Sequence, residues 1–153
     1  MKIALVCSSG GHLVELLFLI DAFKEHDIFF ITYDTNEARN LPYKKYLLKS
    51  KDGTNPIGTN PLKMVKAFFT IGKIIAKGKP DIIISTGSEI AIPAFILAKV
   101  LGIRTVFIES WCRIHTKSGT GKIVYYFSDL FLVQWEPLLR KYGKKARYWG
   151  SVV

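Results

Sequence analysis

The segment Ser8-Ser9-Gly10-Gly11-His12 combines residue types suited to anion binding and proton transfer near the start of the chain. It lies between two apolar runs, residues 3–7 and 13–20, and this pattern predicts a buried parallel strand, a tight turn and a helix. Two glycines let the backbone turn sharply and approach a ligand, while the first N–H groups of a helix attract anions. We therefore expect Ser9, Gly10 and Gly11 to contact a phosphate or diphosphate.

The same glycines also fit a turn that needs them for geometry alone. The segment lacks the full G-x-G-x-x-G spacing of dinucleotide-binding turns, and no Lys-Ser or Lys-Thr pair follows as it does in a P-loop. Both cofactor classes are thereby excluded, and we expect no cofactor.

Two further strand ends carry polar residues. The β-branched run 82–86 ends at Thr86-Gly87-Ser88, and the run 105–108 ends on Glu109, followed by a loop that contains Arg113. Because ligands of open parallel sheets collect at the carboxyl ends of the strands, we expect these groups to meet the Gly10-Gly11 turn. Thr86, the backbone N–H groups at Gly87 and Ser88, and the Arg113 guanidinium would then assist in binding a diphosphate.

His12 and Glu109 are the candidate general bases of this site. The ordinary pKa of histidine lies near the working pH, and either side chain is expected within hydrogen-bond reach of the cleft. Alternatives remain for each residue: His12 as a hydrogen-bonding group that fixes the turn, Glu109 as a group that positions hydroxyls or forms an ion pair with Arg113, and Arg113 as part of a solvated loop. Asp34, after the second strand, is expected to be a turn former rather than a ligand contact.

Strands alternate with helices along the whole chain. Strands are predicted at residues 3–7, 28–33, 46–48, 82–86, 105–108 and 129–133, with a last short strand or turn at 147–150. Helices are predicted at residues 13–20, 62–77, 94–101, 119–127 and 137–142, and loops at 34–37 and 51–61. The alternation predicts an α/β fold, a Rossmann-like, doubly wound and mostly parallel sheet of about six to seven strands.

Length and composition fit a single domain with this fold. The chain has 153 residues, 49% of them hydrophobic, and we expect one domain over residues 1–153. Two distant cysteines, Cys7 and Cys112, are expected to be free buried thiols, and three scattered histidines predict no metal site. With no signal-peptide pattern and no apolar run long enough to span a bilayer, the expected location is cytoplasmic, at most peripheral to a membrane.

The net charge of +10 favours polyanionic partners. In residues 62–77 lysines alternate with large apolar side chains at helical spacing, which predicts a basic amphipathic helix. One face can cover the sheet, and the lysines with Phe68 or Phe69 can also meet anionic lipid headgroups. Nucleic acid is not expected, because no recognised motif or aromatic-and-basic strand accompanies the charge.

Taken together, these segments resemble a known family. The motifs that carry the resemblance are Ser8–His12, Ser85–Glu89 with Pro93, Phe107–Ser110, Ser118–Lys122 and Phe131–Trp135. The chain is similar over nearly its whole length to the acceptor-side subunit, numbered fourteen, of the two-part N-acetylglucosaminyltransferase of asparagine-linked glycosylation. It also resembles the bacterial PssD-type and CpsF-type polysaccharide proteins and the N-terminal half of MurG.

The resemblance implies the N-terminal half of a GT-B glycosyltransferase that is divided into two chains. A separate small subunit would bind the UDP-sugar, and this chain would bind a lipid-linked sugar diphosphate at the cytoplasmic membrane face. Trp135 and Trp149 lie in the part that would face this partner, although core packing is the ordinary role of such residues. The alternative is a non-catalytic scaffold that recruits the donor-binding subunit to the membrane.

Overall fold

The computed structural model describes residues 1–49 and 61–152. The strands are β1 (Lys2–Val6), β2 (Asp27–Tyr33), β3 (Lys44–Leu48), β4 (Ile82–Ser85), β5 (Arg104–Ile108), β6 (Leu130–Val133) and β7 (Ala146–Tyr148). The helices are α1 (Gly11–Phe18), α2 (Asn36–Arg39), α3 (Pro61–Gly78), α4 (Ala91–Leu101), α5 (Gly119–Val124) and α6 (Pro137–Tyr142). A 3₁₀ turn at Ile20–Phe23 follows α1.

The strands form one seven-stranded sheet in the order β3-β2-β1-β4-β5-β6-β7. Each neighbouring pair is parallel. The predicted Rossmann-like α/β fold is thereby confirmed. Chain order reverses between β1 and β4, so the loops that leave these two strands diverge to opposite faces and open a crevice at their carboxyl ends.

Side chains on the two faces of the sheet form two separate apolar cores. Ala4 and Val6 of β1 pack into the core beneath α3, α4, α5 and α6, whereas Ile3, Leu5 and Cys7 pack into the core beneath α1. Successive side chains of a strand point to opposite faces, so a fully buried parallel strand must be apolar at every position. This is why apolar and polar residues do not alternate in the run 3–7.

The loop predicted at 34–37 is partly helical, which corrects that expectation. Thr35 caps α2, since its hydroxyl accepts a hydrogen bond from the Ala38 N–H at 3.3 Å. Asp34 lies between β2 and α2 and forms an ion pair with Arg39 at 2.6 Å. The loop predicted at 51–61 lies outside the described residues, apart from Pro61, at which α3 begins.

The helix ends follow the local sequence. Gly102 ends α4 with a positive φ of 70°, as its position after Leu101 predicted. The basic helix α3 buries Ala67, Ile71 and Ile75 against the sheet. Among residues 1–49 and 61–152, no helix is both long and apolar enough to cross a bilayer.

The two cysteines differ in exposure. Cys7 is a buried free thiol, and burial raises its pKa to about 12. Cys112 is also free but exposed, which corrects the expectation that both are buried. It lies in the loop between β5 and α5.

Candidate active site

A cleft of about 940 Å³ opens at the carboxyl ends of the strands. Its walls come from the loops after β1, β2, β4 and β5, together with the end of β3 and the start of α5. Of the residues predicted from the sequence, those that line it are Ser9, Gly11, His12, Gly87, Ser88, Glu109 and Arg113. The topology therefore brings together residues that lie up to about a hundred positions apart.

The turn after β1 leaves space for a ligand. Gly10 has a φ of 74° and starts α1 without a capping side chain, and no acidic residue occupies the first helical turn. A Cβ at Gly10 or Gly11 would meet nothing within 4 Å. The backbone at the positive end of the helix dipole thus faces open space, as the binding of an anion requires.

The turn after β4 packs directly against this segment. The Thr86 side chain is fully buried, and its hydroxyl donates to the His12 carbonyl oxygen at 2.7 Å. Thr86 therefore joins the two turns and lies beneath the cleft rather than in its lining. The Ser85 hydroxyl accepts from the Gly87 N–H at 3.1 Å, which holds the second turn in place.

The imidazole of His12 lies against Gly87. A Cβ built on Gly87 would approach the His12 Cε1 atom to 2.6 Å and the Nδ1 atom to 2.9 Å. Gly87 also has a φ of 132°, a backbone conformation that side chains other than that of glycine rarely allow. Glycine is required here both for the backbone and for the space that the imidazole occupies.

His12 is held in its neutral form. Burial lowers the pKa of His12, and the Thr86 backbone and the carboxylates of Glu109 and Glu89 oppose this shift in part. The Nδ1 atom is buried and has no hydrogen-bond partner. A neutral imidazole that lines the cleft is chemically able to accept a proton at neutral pH.

Glu109 is buried beneath the other side of the cleft. One carboxylate oxygen accepts from the Ser110 N–H at 3.0 Å, and the other accepts from the Ser118 N–H at 3.2 Å, the Ser118 hydroxyl at 2.9 Å and the Tyr142 hydroxyl. Within the described part of the chain, no ion pair links Glu109 to Arg113. The geometry favours a positioning role, because four donors already stabilise the carboxylate.

The Tyr142 hydroxyl was not anticipated as part of this network. Tyr142 ends α6 and is buried, and burial together with the Glu109 carboxylate raises the pKa of its hydroxyl, which therefore remains a donor. Gly121 lies against both groups, since a Cβ there would collide with the Tyr142 hydroxyl and the Glu109 carboxylate. In the sequence, the segment 137–142 showed only the apolar pattern of a short helix.

Glu15 is the second site residue that the sequence analysis missed. It lies one turn after His12 in α1 and is fully buried. One of its carboxyl oxygens accepts from the Ser110 hydroxyl and from the Trp111 N–H, each at 2.9 Å, and the other has no partner. Glu15 thus ties the helix of His12 to the loop of Glu109. A carboxyl group inside the apolar run 13–20 was the signal that could have identified it.

Burial raises the pKa of Glu15, and the nearby charge of Glu109 acts in the same direction. Ser110 lies between the two acids, because its N–H donates to Glu109 and its hydroxyl donates to Glu15. The arrangement favours the neutral form of Glu15, since two buried like charges repel each other.

Arg113, Trp135 and Trp149 differ in position and in exposure. The exposed Arg113 lines the cleft, within the loop between β5 and α5. Trp135 is half-buried and its indole N–H donates to the Trp111 carbonyl at 2.5 Å, whereas Trp149 is 71% exposed. Residues 1–49 and 61–152 contain no group of three or more His, Cys, Asp and Glu side chains that could hold a metal ion.

Solved structures share this architecture. MurG from Acinetobacter baumannii aligns with a TM-score of 0.77 at 17% identity, over 97% of this chain and 45% of that one. A UDP-N-acetylglucosamine 2-epimerase from Rickettsia bellii aligns with a TM-score of 0.77 at 17% identity, over 99% of this chain and 45% of the other. The chain thus spans about half the length of these structures, and it shares their Rossmann-like α/β fold.

Sequence comparison defines the family. Residues 3–152 match the family described as "Oligosaccharide biosynthesis protein Alg14 like". The human UDP-N-acetylglucosamine transferase subunit ALG14 is 28% identical over 181 aligned positions, which cover 100% of this chain and 83% of the human protein. The chain belongs to the Alg14-like family, and the resemblance noted in the sequence is confirmed.

Proposed function

We propose that this chain is the acceptor-side subunit of a two-component, UDP-sugar-dependent glycosyltransferase that extends a lipid-diphosphate-linked sugar. The observation that carries the proposal is the family match over residues 3–152, joined to a cleft in which a neutral His12 lies beside an open anion-binding turn. The relatives in this family are named as transferase subunits, which supports a partner chain. The epimerase fold match alone would not distinguish transfer from epimerisation.

The diphosphate of the acceptor is assigned to the Gly10-Gly11 turn. The open space above these glycines and the start of α1 suit an anion. Gly87 and Ser88 line the same cleft, but the Gly87 N–H already donates to the Ser85 hydroxyl, which corrects the expectation that it contacts the diphosphate. Arg113 supplies a guanidinium at the rim, where it can pair with a phosphate oxygen in a bidentate manner. Ser9 adds a hydroxyl to the same wall.

His12 is proposed as the general base. The acceptor hydroxyl attacks the anomeric carbon of the donor sugar, the bond from that carbon to the UDP oxygen breaks, and the hydroxyl proton passes to the imidazole. Glu109 acts as a positioning residue, since its carboxylate holds Ser118 and the start of α5 at the cleft. The donor half of the cleft is assigned to a separate small subunit.

Attachment to the cytoplasmic membrane face is assigned to α3. Lys63, Lys66, Lys73 and Lys77 are exposed on this helix. Val65 is 53% exposed and Phe69 is 70% exposed beside them, whereas Phe68 is half-buried. A surface that combines lysines with exposed apolar side chains suits an anionic lipid surface, where the acceptor lipid resides.

Co-expression with a separate small subunit, sought among the genes adjacent to this one, tests the proposal. Affinity capture should recover both chains, and the pair should transfer label from a UDP-sugar to lipid in isolated membranes only when both are present. Transfer by the small protein alone at the rate of the pair, or a chain that binds neither partner nor lipid diphosphate, would contradict the proposal.

A further inference from the structure

The cleft extends beyond the diphosphate-binding turns to the carboxyl ends of β2 and β3. This part, called here the β2–β3 lobe, is lined by Tyr33, Asp34, Arg39, Lys49 and Glu89. None of these side chains takes part in the assigned roles of diphosphate binding or proton transfer. A cleft of about 940 Å³ is far larger than a diphosphate needs, so a second moiety of the ligand can occupy the lobe.

Glu89 is the central polar group of the lobe. One of its carboxylate oxygens accepts from the Tyr33 hydroxyl at 2.6 Å, and the other accepts from the Ser88 hydroxyl at 2.7 Å. Burial and the Glu89 carboxylate raise the pKa of Tyr33, so that its hydroxyl remains a donor at neutral pH. Two hydroxyls on the two oxygens of one carboxylate form the pattern that a sugar diol makes with an acidic side chain.

The backbone conformation of Ser88 is unusual for a serine. Its φ of 75° lies in the left-handed region, which serine adopts at a cost in free energy. The conformation places the Ser88 hydroxyl on Glu89 within the cleft wall. A ligand hydroxyl that replaces the Ser88 hydroxyl would keep the carboxylate fully hydrogen-bonded.

The charges of the β2–β3 lobe favour a neutral ligand. Arg39 is paired with Asp34 at 2.6 Å, and the guanidinium lowers the pKa of Asp34, which therefore remains ionised. Lys49 and Glu89 add one charge of each sign, so the lobe carries two cations and two anions. A phosphate placed in the lobe would face the Glu89 carboxylate, which accepts hydrogen bonds and offers none. A neutral group with several O–H or N–H donors fits instead.

The β2–β3 lobe is close to the proposed base. His12 and Glu89 line the same cleft, and the His12 imidazole packs against Gly87, two residues before Glu89. A moiety joined to a diphosphate at the Gly10-Gly11 turn can therefore reach Glu89 and still present a hydroxyl near His12.

We propose that the β2–β3 lobe binds the sugar of the lipid-linked acceptor, and that Glu89 recognises its hydroxyl or amide N–H donors with Tyr33 holding the carboxylate in place. This inference rests on the proposed function, since it assigns the part of the acceptor that follows the diphosphate. It makes Glu89 a specificity-determining residue.

Paired ligands test this inference separately from the proposed function. Binding of the purified chain to farnesyl diphosphate is compared with binding to the same compound bearing N-acetylglucosamine or glucose, by isothermal titration calorimetry. The wild-type chain should bind a sugar-bearing compound more tightly. Glu89→Gln should reduce affinity for it about tenfold or more and leave farnesyl diphosphate binding unchanged, because a hydrogen bond to a charged group is lost. Glu25→Gln, an exposed control, should change neither affinity.

Tyr33→Phe provides a second variant that removes one hydroxyl and little volume. It should weaken binding of the sugar-bearing compound only. Equal weakening of both ligands by Glu89→Gln, or no preference for the sugar in the wild-type chain, would overturn the inference and leave the proposed function standing. Failure of the wild-type chain to bind any of the three compounds would overturn the inference together with the assignment of the acceptor diphosphate to this chain.

Discussion

Among single residues, His12 and Gly87 act as one unit, because the imidazole occupies the space in which any other residue at position 87 would place its Cβ. Burial in that contact lowers the pKa of His12 and leaves its Nδ1 atom without a partner. The proposed role of His12 as general base therefore depends on glycine at position 87.

Gly87→Ala should displace the imidazole. Because the Cβ would lie 2.6 Å from Cε1 and the φ of 132° is strained for alanine, the variant should lose about 1 to 3 kcal/mol of unfolding free energy. The pKa of His12 should rise as the ring moves toward solvent, and NMR titration of its ring protons measures this rise. Gly72→Ala, where a Cβ meets only Leu97 at 3.7 Å, serves as the control. An unchanged His12 titration in Gly87→Ala would contradict the account.

Glu15 predicts a pH dependence of stability. Its pKa is raised in the folded chain, so the folded state retains a proton that the unfolded chain releases. Its contribution is therefore fully present below the ordinary carboxyl pKa and is lost as pH rises through the higher folded value. Glu15→Gln resembles the neutral acid and should remove this loss, giving a variant at least as stable as wild type at neutral pH.

Urea unfolding at several pH values measures this effect. Glu15→Ala should be less stable by about 2 to 4 kcal/mol at every pH, because it leaves the Ser110 hydroxyl and the Trp111 N–H without their acceptor and opens a cavity. A Glu15→Gln variant as unstable as Glu15→Ala at every pH would show that the folded chain favours the ionised carboxylate, which would contradict the raised pKa of Glu15.

Among secondary-structure elements, α6 and the start of α5 meet at Glu109. Tyr142 comes from one helix and Ser118 from the residue that caps the other, and both donate to the same carboxylate oxygen. The carboxylate thereby fixes the position of two short helices that have few residues of their own to stabilise them.

Tyr142→Phe should weaken this junction. It removes one donor to a buried carboxylate, and we expect a loss of about 1 to 3 kcal/mol of unfolding free energy. Turnover of the reconstituted pair should fall while binding of the partner is kept, since the start of α5 lines the cleft. Tyr126→Phe is the matched control, because Tyr126 is 76% exposed. Equal stability and turnover in the two variants would show that the hydrogen bond to Glu109 contributes little.

The exposed face of α3 predicts salt-dependent lipid binding. Phe69→Ser removes an exposed apolar side chain, and it should reduce flotation with vesicles that contain phosphatidylglycerol. The double change Lys66→Gln with Lys73→Gln should also reduce flotation, since each lysine near an anionic surface contributes about 1 kcal/mol. Val100→Ser on α4, at a side chain that is 78% exposed, should leave binding unchanged. Equal binding to neutral vesicles would argue against the electrostatic part of this account.

For the whole molecule, the sequence predicted the fold better than the site. Apolar runs such as residues 3–7 and 82–86 determine a buried parallel sheet through their own composition, and strand order then follows from right-handed connections. The carboxyl ends of β1, β4 and β5 had to meet in such a sheet, so His12, Gly87 and Glu109 were brought together as expected.

Contacts between distant side chains were beyond the reach of pattern analysis. Glu15 bonds to Ser110 across 95 positions and Tyr142 to Glu109 across 33. Whether a polar residue in an apolar helix faces solvent or another loop depends on the packed geometry, which no local spacing encodes. The ambiguity between His12 and Glu109 as base had the same origin, because only the structure shows that four donors already stabilise Glu109.

The most direct measurement compares His12→Ala with wild type in the reconstituted pair, and follows partner capture and sugar transfer in the same preparation. A catalytic acceptor-side subunit predicts that the partner is retained while kcat falls about 10²- to 10⁴-fold, the usual contribution of a general base. His26→Ala, at the opposite end of the sheet, should behave as wild type. Retained partner binding together with unchanged transfer in His12→Ala would contradict the account and identify the chain as a non-catalytic scaffold.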